Sequence, residues 1–184
     1  MRVSVDGLPA AGRRALTVLT GLAGAERPVW LVGGALREIL SGRAVADLDL
    51  AVGGGALDLG RRLADRLDAA FVVLDADRGA GRLVGREGEL SLDLVDLRAP
   101  TLAGDLRGRD FTVNALAVPI GDLLRLGHAE IVDPTGGLDD LAARIVRPCG
   151  PTVVVDDPVR ALRGVHLAMR EGWRLDPAAE AAIA

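Results

Sequence analysis

The sequence predicts an α/β head followed by the start of an all-helical region. Three observations carry this. Over residues 1–150, short strand-like runs alternate with amphipathic helical stretches. Beyond residue 150 the apolar residues recur only at helical spacing. A Gly33-Gly34 turn stands between the first strand run and the helix after it. The 184 residues suit one domain with a small appendage, and 49% hydrophobic residues suffice for a packed core.

The elements are predicted in order. Ala15, Leu16, Leu19 and Leu22 share one helix face, with Gly24 as the stop. Residues 28–32 are an apolar strand, 35–40 a helix closed by Ser41-Gly42, and 47–52 a strand alternating charged and apolar residues. After the Gly53-Gly54-Gly55 turn, residues 56–68 form an amphipathic helix through Leu57, Leu59, Leu63 and Leu67. Residues 71–74 are a strand, and 82–84 with 90–97 form a hairpin across 85–88. Residues 110–118 are predicted helical, 131–132 and 145–146 strand-like, and 158–171 helical. The expected partition is a leader at 1–27, a head at 28–150 and the start of a helical neck at 151–184.

Composition excludes several classes. No charge-free stretch exceeds 11 residues, as in Ala15 to Ala25, whereas a membrane helix needs about 18 or more. Residues 1–14 carry charges and lack the apolar region of a secretory signal, so a cytoplasmic protein is expected. Cys149 is the only cysteine, which excludes a disulfide scaffold and a cysteine-based zinc site. All 22 basic residues are arginines, so every side-chain cation is a guanidinium fork suited to phosphate or an arginine's partner carboxylate. The net charge of -4 and the 2% aromatic content argue against nucleic-acid binding by this segment alone.

The chemistry-bearing residues cluster early. A strand entering Gly33-Gly34 and then a helix makes room for an anion, because glycines allow close backbone approach and the first N–H groups of a helix are free. Arg37, one turn on, adds a fork. Asp47 and Asp49 share one strand face while Leu48 and Leu50 take the other. Adjacent carboxylates repel unless a cation lies between them. A pair of divalent ions would satisfy them and suits nucleotidyl transfer; a solvated strand face is the alternative. Asp93 and Asp96 differ by three and so face opposite ways. Asp93, between leucines, is the chosen third carboxylate, with Asp96 as the strand-end alternative.

At these residues the sequence resembles the class II CCA-adding and bacterial poly(A) polymerase nucleotidyltransferases of the polymerase-β-like group. Residues 31–38 with Asp47-Leu-Asp-Leu resemble the first motif, and residues 109–117 the second. Residues 133–147 resemble the third, and Asp156-Asp-Pro-Val-Arg160-Ala-Leu-Arg163 the nucleotide-selecting motif. The four blocks stand in family order between residues 28 and about 177. The resemblance implies a catalytic head with a mixed sheet flanked by helices. It implies that Gly33, Gly34 and Arg37 hold the triphosphate and that Asp47 and Asp49 bind two Mg²⁺ ions, with Mn²⁺ as an alternative. Asp93 then activates the attacking hydroxyl. Arg109, Asp110 and Asn114 lie by ribose and phosphates, and Asp157 and Arg160 read the base, with Arg163 also on the nucleotide. An i,i+3 helix ion pair is the other reading of Asp157 and Arg160.

The implied activity is template-independent addition of CMP or AMP, from CTP and ATP, to the tRNA 3′ end. The alternatives are poly(A) synthesis, a nucleotide-binding module of this fold without turnover, and an α/β protein with structural Mg²⁺. No membrane or protein partner is implied. Residues 176–184 begin a helix and stop, so the chain is expected to be the amino-terminal part of a longer enzyme whose helical body holds tRNA, or a shortened relative. Cys149, His128, His166, Trp30 and Trp173 carry structural readings only.

Overall fold

The structure, a computed structural model, describes residues 1–86 and 88–183. Glu87, in the expected hairpin turn, and Ala184, at the end of the last expected helix, lie outside the described residues. In chain order the elements are β1 (Arg2–Ser4), α1 (Ala10–Ala23), β2 (Val29–Val32), α2 (Gly34–Leu40), β3 (Asp47–Val52), α3 (Ala56–Leu67), β4 (Ala70–Asp75), β5 (Ala80–Val84) and β6 (Ser91–Asp96). There follow α4 (Leu102–Arg107), β7 (Ala117–Pro119), α5 (Ile120–Leu126), β8 (His128–Glu130), α6 (Gly137–Ala143), β9 (Ile145–Val146), α7 (Val153–Asp156), α8 (Val159–Glu171), β10 (Arg174–Leu175) and α9 (Pro177–Ile183).

The chain divides into two compact units, one of Met1–Arg98 with Ala117–Ile131, the other of Ala99–Leu116 with Val132–Ala184. Residues 99–116 and 132–150, which the sequence assigns to the head, therefore fall in the same unit as residues 151–183.

The first unit is built on a six-stranded sheet of order β4-β5-β6-β3-β2-β7. Only β3 and β6 run parallel within it, so the sheet is mixed. The alternation read in residues 47–52 is what seats β3: Leu48 and Leu50 are buried, Asp49 is partly exposed and Asp47 exposed. β6 repeats the pattern with Leu92 and Leu94 buried. Helix α1 buries Gly12, Ala15, Leu16 and Leu19 and ends at Gly24, whose φ of 67° few side chains tolerate. Helix α3 buries Leu59, Gly60, Leu63 and Ala64. The ring of Phe71 on β4 lies where a Cβ on Gly60 or on Gly81 would come within 2.3 Å of it. Two hydrogens, one from α3 and one from β5, thus leave the space that the ring fills.

The second unit has a core of Phe111, Val113, Val146, Leu167 and Ala168, against which Leu141, Trp173 and Leu175 pack. Strands β9 and β10 pair in parallel across it.

Three expectations are corrected. Residues 110–118 are not a helix: a single 3₁₀ turn at Thr112–Asn114 leads into β7, which pairs with β2. Phe111 is extended and bridges antiparallel to Pro148, with the Thr112 N–H on the Arg147 carbonyl, so strand-like pairing holds both ends of the stretch. The strand expected at 131–132 lies earlier, at β8, because its partner is β1 in the expected leader, with Val3 opposite Ala129. Residues 151–183 are helical apart from β10, whose pairing with β9 holds it extended.

Candidate active site

In the first unit, β2 runs into Gly33, which adopts φ 71° and ψ −141°, a conformation that strains any side chain. Gly34 opens α2. A Cβ there would lie 3.5 Å from Arg37 Nη2 and 3.9 Å from Asp49 Oδ2, so turn, guanidinium and carboxylate converge on one point. Arg37 is buried, and its Nη2 donates to Glu38 Oε1 at 3.0 Å. Arg43 Nε donates to the other oxygen of Glu38. Burial raises the Glu38 carboxyl, but the hydrogen bonds from Arg43 and Arg37 outweigh it and hold the group below its ordinary value.

Across β3 and β6 the register places Asp47 opposite Ser91 and Asp49 opposite Asp93. Laterally paired residues project to the same side of a sheet, so Asp47, Asp49 and Asp93 share a face. Asp96 lies on the other face, where its Oδ1 accepts from the Ala56 N–H at 2.8 Å and caps the first turn of α3. Arg82, opposite Asp93 on β5, donates from Nε to Oδ1 at 2.6 Å and from Nη2 to Oδ2 at 2.8 Å. The Asp93 hydrogen bonds and charge, with the charges of Asp47 and Asp49, raise the Arg82 pKa above its ordinary value.

The oxygen donors of Asp47 and Asp49 are of the hard type that divalent ions such as Mg²⁺ and Mn²⁺ take, and the donor set fits such ions. Among the described residues no three His, Cys, Asp or Glu side chains stand together as a formed metal cluster.

The second unit gathers the other candidate residues. Asp110 Oδ1 accepts from its neighbour's N–H at 2.8 Å and from Asn114 Nδ2 at 3.3 Å, and its Oδ2 lies 2.9 Å from Arg163 Nη2. Arg109 forks Asp105 Oδ2 at 3.2 and 3.0 Å. Arg160 lies 3.5 Å from Asp157, which also accepts from the Val159 N–H and so starts α8. Burial first, and the Asp110 charge second, push the Cys149 thiol up to about 12, against the opposing effect of Arg109 and Arg160. Cys149 thus lies among these charges. Asp157 and Arg160 pair with each other in the i,i+3 manner of a helix ion pair.

Some residues escaped the sequence reading. Thr112 Oγ1 donates to Asp140 Oδ2 at 2.7 Å, Arg147 Nε reaches both Asp140 oxygens, and Arg147 Nη1 reaches Asp176. This network ties the turn after Asp110 to the starts of α6 and α9. Asp133 accepts from the Gly137 and Leu138 N–H groups, each at 2.9 Å, and so caps α6. Arg82 and Asp105 were missed as well. Arg82 was within reach: the expected hairpin, counted back from Val84 opposite Ser91, pairs residue 82 with 93.

A mixed sheet with paired aspartates on one strand and a diglycine turn beside them defines the class of nucleotidyltransferase heads. Comparison with known proteins agrees. Residues 86–147 match the poly A polymerase head domain. The chain is 38% identical over 154 residues to the CC-adding tRNA nucleotidyltransferase of Geobacter sulfurreducens, covering 84% of the chain and 34% of that protein. It is 40% identical over 153 residues to the A-adding tRNA nucleotidyltransferase of Deinococcus radiodurans, covering 83% and 33%. The solved structure of the Thermotoga maritima CCA-adding enzyme complexed with tRNA superposes with a TM-score of 0.84 at 27% identity, over all of this chain and 45% of that one. The chain belongs to the family of poly(A) polymerases and CCA-, CC- and A-adding tRNA nucleotidyltransferases. It spans about a third of the length of the curated relatives it matches.

Proposed function

We propose that this chain is the catalytic head of an enzyme that adds CMP, AMP or both, from CTP and ATP, to the 3′ end of tRNA. The observation that carries the reading is the face shared by Asp47, Asp49 and Asp93, with Gly34 and Arg37 beside Asp49. Relatives named for CC and A addition support the substrate class. On this reading the chain's residues divide the work. Asp47 and Asp49 would hold divalent cations, Mg²⁺ first and Mn²⁺ as an alternative. Such ions, when bound, neutralise charge on the attacking and leaving oxygens of an in-line displacement. Gly33, Gly34 and Arg37 receive the triphosphate. Asp93 accepts the proton of the RNA 3′-hydroxyl that attacks the α-phosphate, and pyrophosphate leaves. Arg109, Asp110 and Asn114 contact ribose and phosphates.

Asp157 and Arg160 read the base, with Arg163 beside them. A carboxylate accepts from an exocyclic amine and a guanidinium donates to a ring nitrogen or carbonyl. CTP and ATP both offer an amine beside an acceptor nitrogen. The partition into leader, head at 28–150 and start of a neck at 151–184 belongs to this reading, as do a cytoplasmic setting and a tRNA grip supplied mainly by a C-terminal body. No helix among the described residues is long and apolar enough to cross a membrane.

The test is incorporation of labelled CTP and ATP, separately and together, into tRNA ending at the discriminator base and into tRNA already ending in CC. Addition of two C residues, one A, all three or a run of A distinguishes the products of this family. Nucleotide binding with no incorporation in any combination would identify a module without turnover.

A further inference from the structure

Asp93 commits both carboxylate oxygens to one partner. Arg82 meets them with two hydrogen bonds of 2.6 and 2.8 Å, a fork matched to a fork. The two residues are directly opposite across β5 and β6, so sheet register brings them together. The same register continues to β3, where Asp49 is opposite Asp93. A row of charge therefore crosses three strands, Arg82 then Asp93 then Asp49, with Asp47 two positions along from Asp49. Strands in a sheet lie about 4.8 Å apart, so all four charges are near neighbours. Arg82 responds to all of them: its raised pKa comes first from Asp93 and then from Asp47 and Asp49. Three carboxylates on one face repel, and the guanidinium offsets part of that repulsion. The arginine side chain is nevertheless 46% exposed, and an ion pair so open to water is weak enough to break.

We propose that Arg82 is a positioning residue that competes with a divalent cation for Asp93: it holds the third carboxylate while the acid row is empty and releases it when a cation binds at Asp47 and Asp49. The proposal rests on the reading of Asp47 and Asp49 as metal ligands. It gives the arginine a task that a buried structural ion pair would not have. The guanidinium keeps Asp93 oriented toward its two neighbours on the row, and its positive charge opposes a cation until Asp93 changes partner.

The experiment is Mn²⁺ titration of this chain, read by the electron paramagnetic resonance of unbound Mn²⁺, with thermal melts alongside. Removing a unit charge two strand spacings, about 10 Å, from a divalent ion is worth about fourfold in affinity at the dielectric of water and more at the lower effective dielectric of a protein surface, which brackets about tenfold. Arg82→Gln is therefore expected to tighten Mn²⁺ binding by about tenfold. Asp93→Asn is expected to erase that gain in the double variant. Arg82→Lys keeps the charge but loses the fork, and a gain of about threefold is expected; it carries the test if Arg82→Gln does not fold. Folded Arg82 variants that bind Mn²⁺ as the parent does, or more weakly, overturn the proposal. Asp47→Ala separates it from the reading beneath it. If Asp47→Ala abolishes Mn²⁺ binding while the Arg82 variants change nothing, only the role of Arg82 falls. If Mn²⁺ binding ignores Asp47, the metal reading falls and this inference with it.

Discussion

Gly137 lies against the backbone of Thr112 so closely that a Cβ on the glycine would sit 2.1 Å from the Thr112 carbonyl oxygen. The first turn of α6 and the turn following Asp110 are thereby in direct backbone contact. Both belong to sequence blocks that resemble family motifs, and their packing is one physical reason for the glycine. Gly137→Ala has nowhere to place its methyl group without moving backbone. Overpacking of this kind costs about 1–3 kcal/mol and sometimes more. Urea denaturation of the variant should show a lower midpoint with an unchanged slope.

Asp47→Ala should abolish nucleotide incorporation, because the reaction as proposed needs both aspartates of β3. Its fold should survive. Asp47 is exposed, and substitutions at such sites usually change stability by within about 0.5 kcal/mol. Loss of one like charge from the acid row also relieves repulsion. Metal-free melting temperatures equal to or above those of the parent are expected, beside an incorporation assay at background. Near-normal incorporation would remove Asp47 from the site.

Cys149 should resist alkylation. Burial and the charge of Asp110 hold its thiol up to about 12, against about 8.5 for a free cysteine, so little thiolate exists at pH 8. Labelling by iodoacetamide should be slow at pH 8 and accelerate toward pH 11 until unfolding exposes the thiol. The sign of the linkage follows. The unfolded chain loses this proton from about pH 8.5 upward while the folded one keeps it, so the contribution of Cys149 to stability falls as pH rises from there toward about 12. Cys149→Ala should flatten that alkaline decline. Fast labelling of the native protein at pH 8 would contradict the burial argument.

Arg160→Ala should blunt the choice of CTP and ATP over GTP and UTP more than it weakens triphosphate affinity. A hydrogen-bonding partner lost from a polar site costs about 1–3 kcal/mol, or roughly fivefold to over a hundredfold in discrimination. Competition between the four nucleotides at equal concentration measures it. Unchanged preference would leave Asp157 and Arg160 as the helix ion pair that their 3.5 Å separation also describes.

Much of the fold was legible because local pattern and final environment agree. In residues 47–50 the alternation of charge and apolar side chain is the alternation of exposure in β3, and Gly24 ends α1 at the expected place. Asp93 and Asp96 fall on opposite faces, as a spacing of three requires on a regular strand. The misreadings lie where distant partners decide. Residues 110–118 contain enough apolar residues for a helix, yet Pro148 bridges an extended Phe111 and β2 claims β7. The strand at Arg2–Ser4 exists through a partner more than a hundred residues away. Arg82 was hidden differently. An isolated arginine in a strand carries no signal until the hairpin register names its opposite number.

The ring of Phe71 between Gly60 and Gly81 has a bearing on how this chain tolerates change. Neither glycine can gain even a methyl group while the ring stays, since each Cβ would meet it at 2.3 Å. The three positions come from α3, β4 and β5, and residues in such contact change stability non-additively. A lineage that first trades the ring for a smaller side chain opens positions 60 and 81 to alanine. One that takes either alanine first must displace the ring and give up part of its packing. Once an alanine is in place the ring returns only in a shifted position, so the order of substitutions matters. The cost of a change at any one of the three therefore depends on which side chains the other two carry.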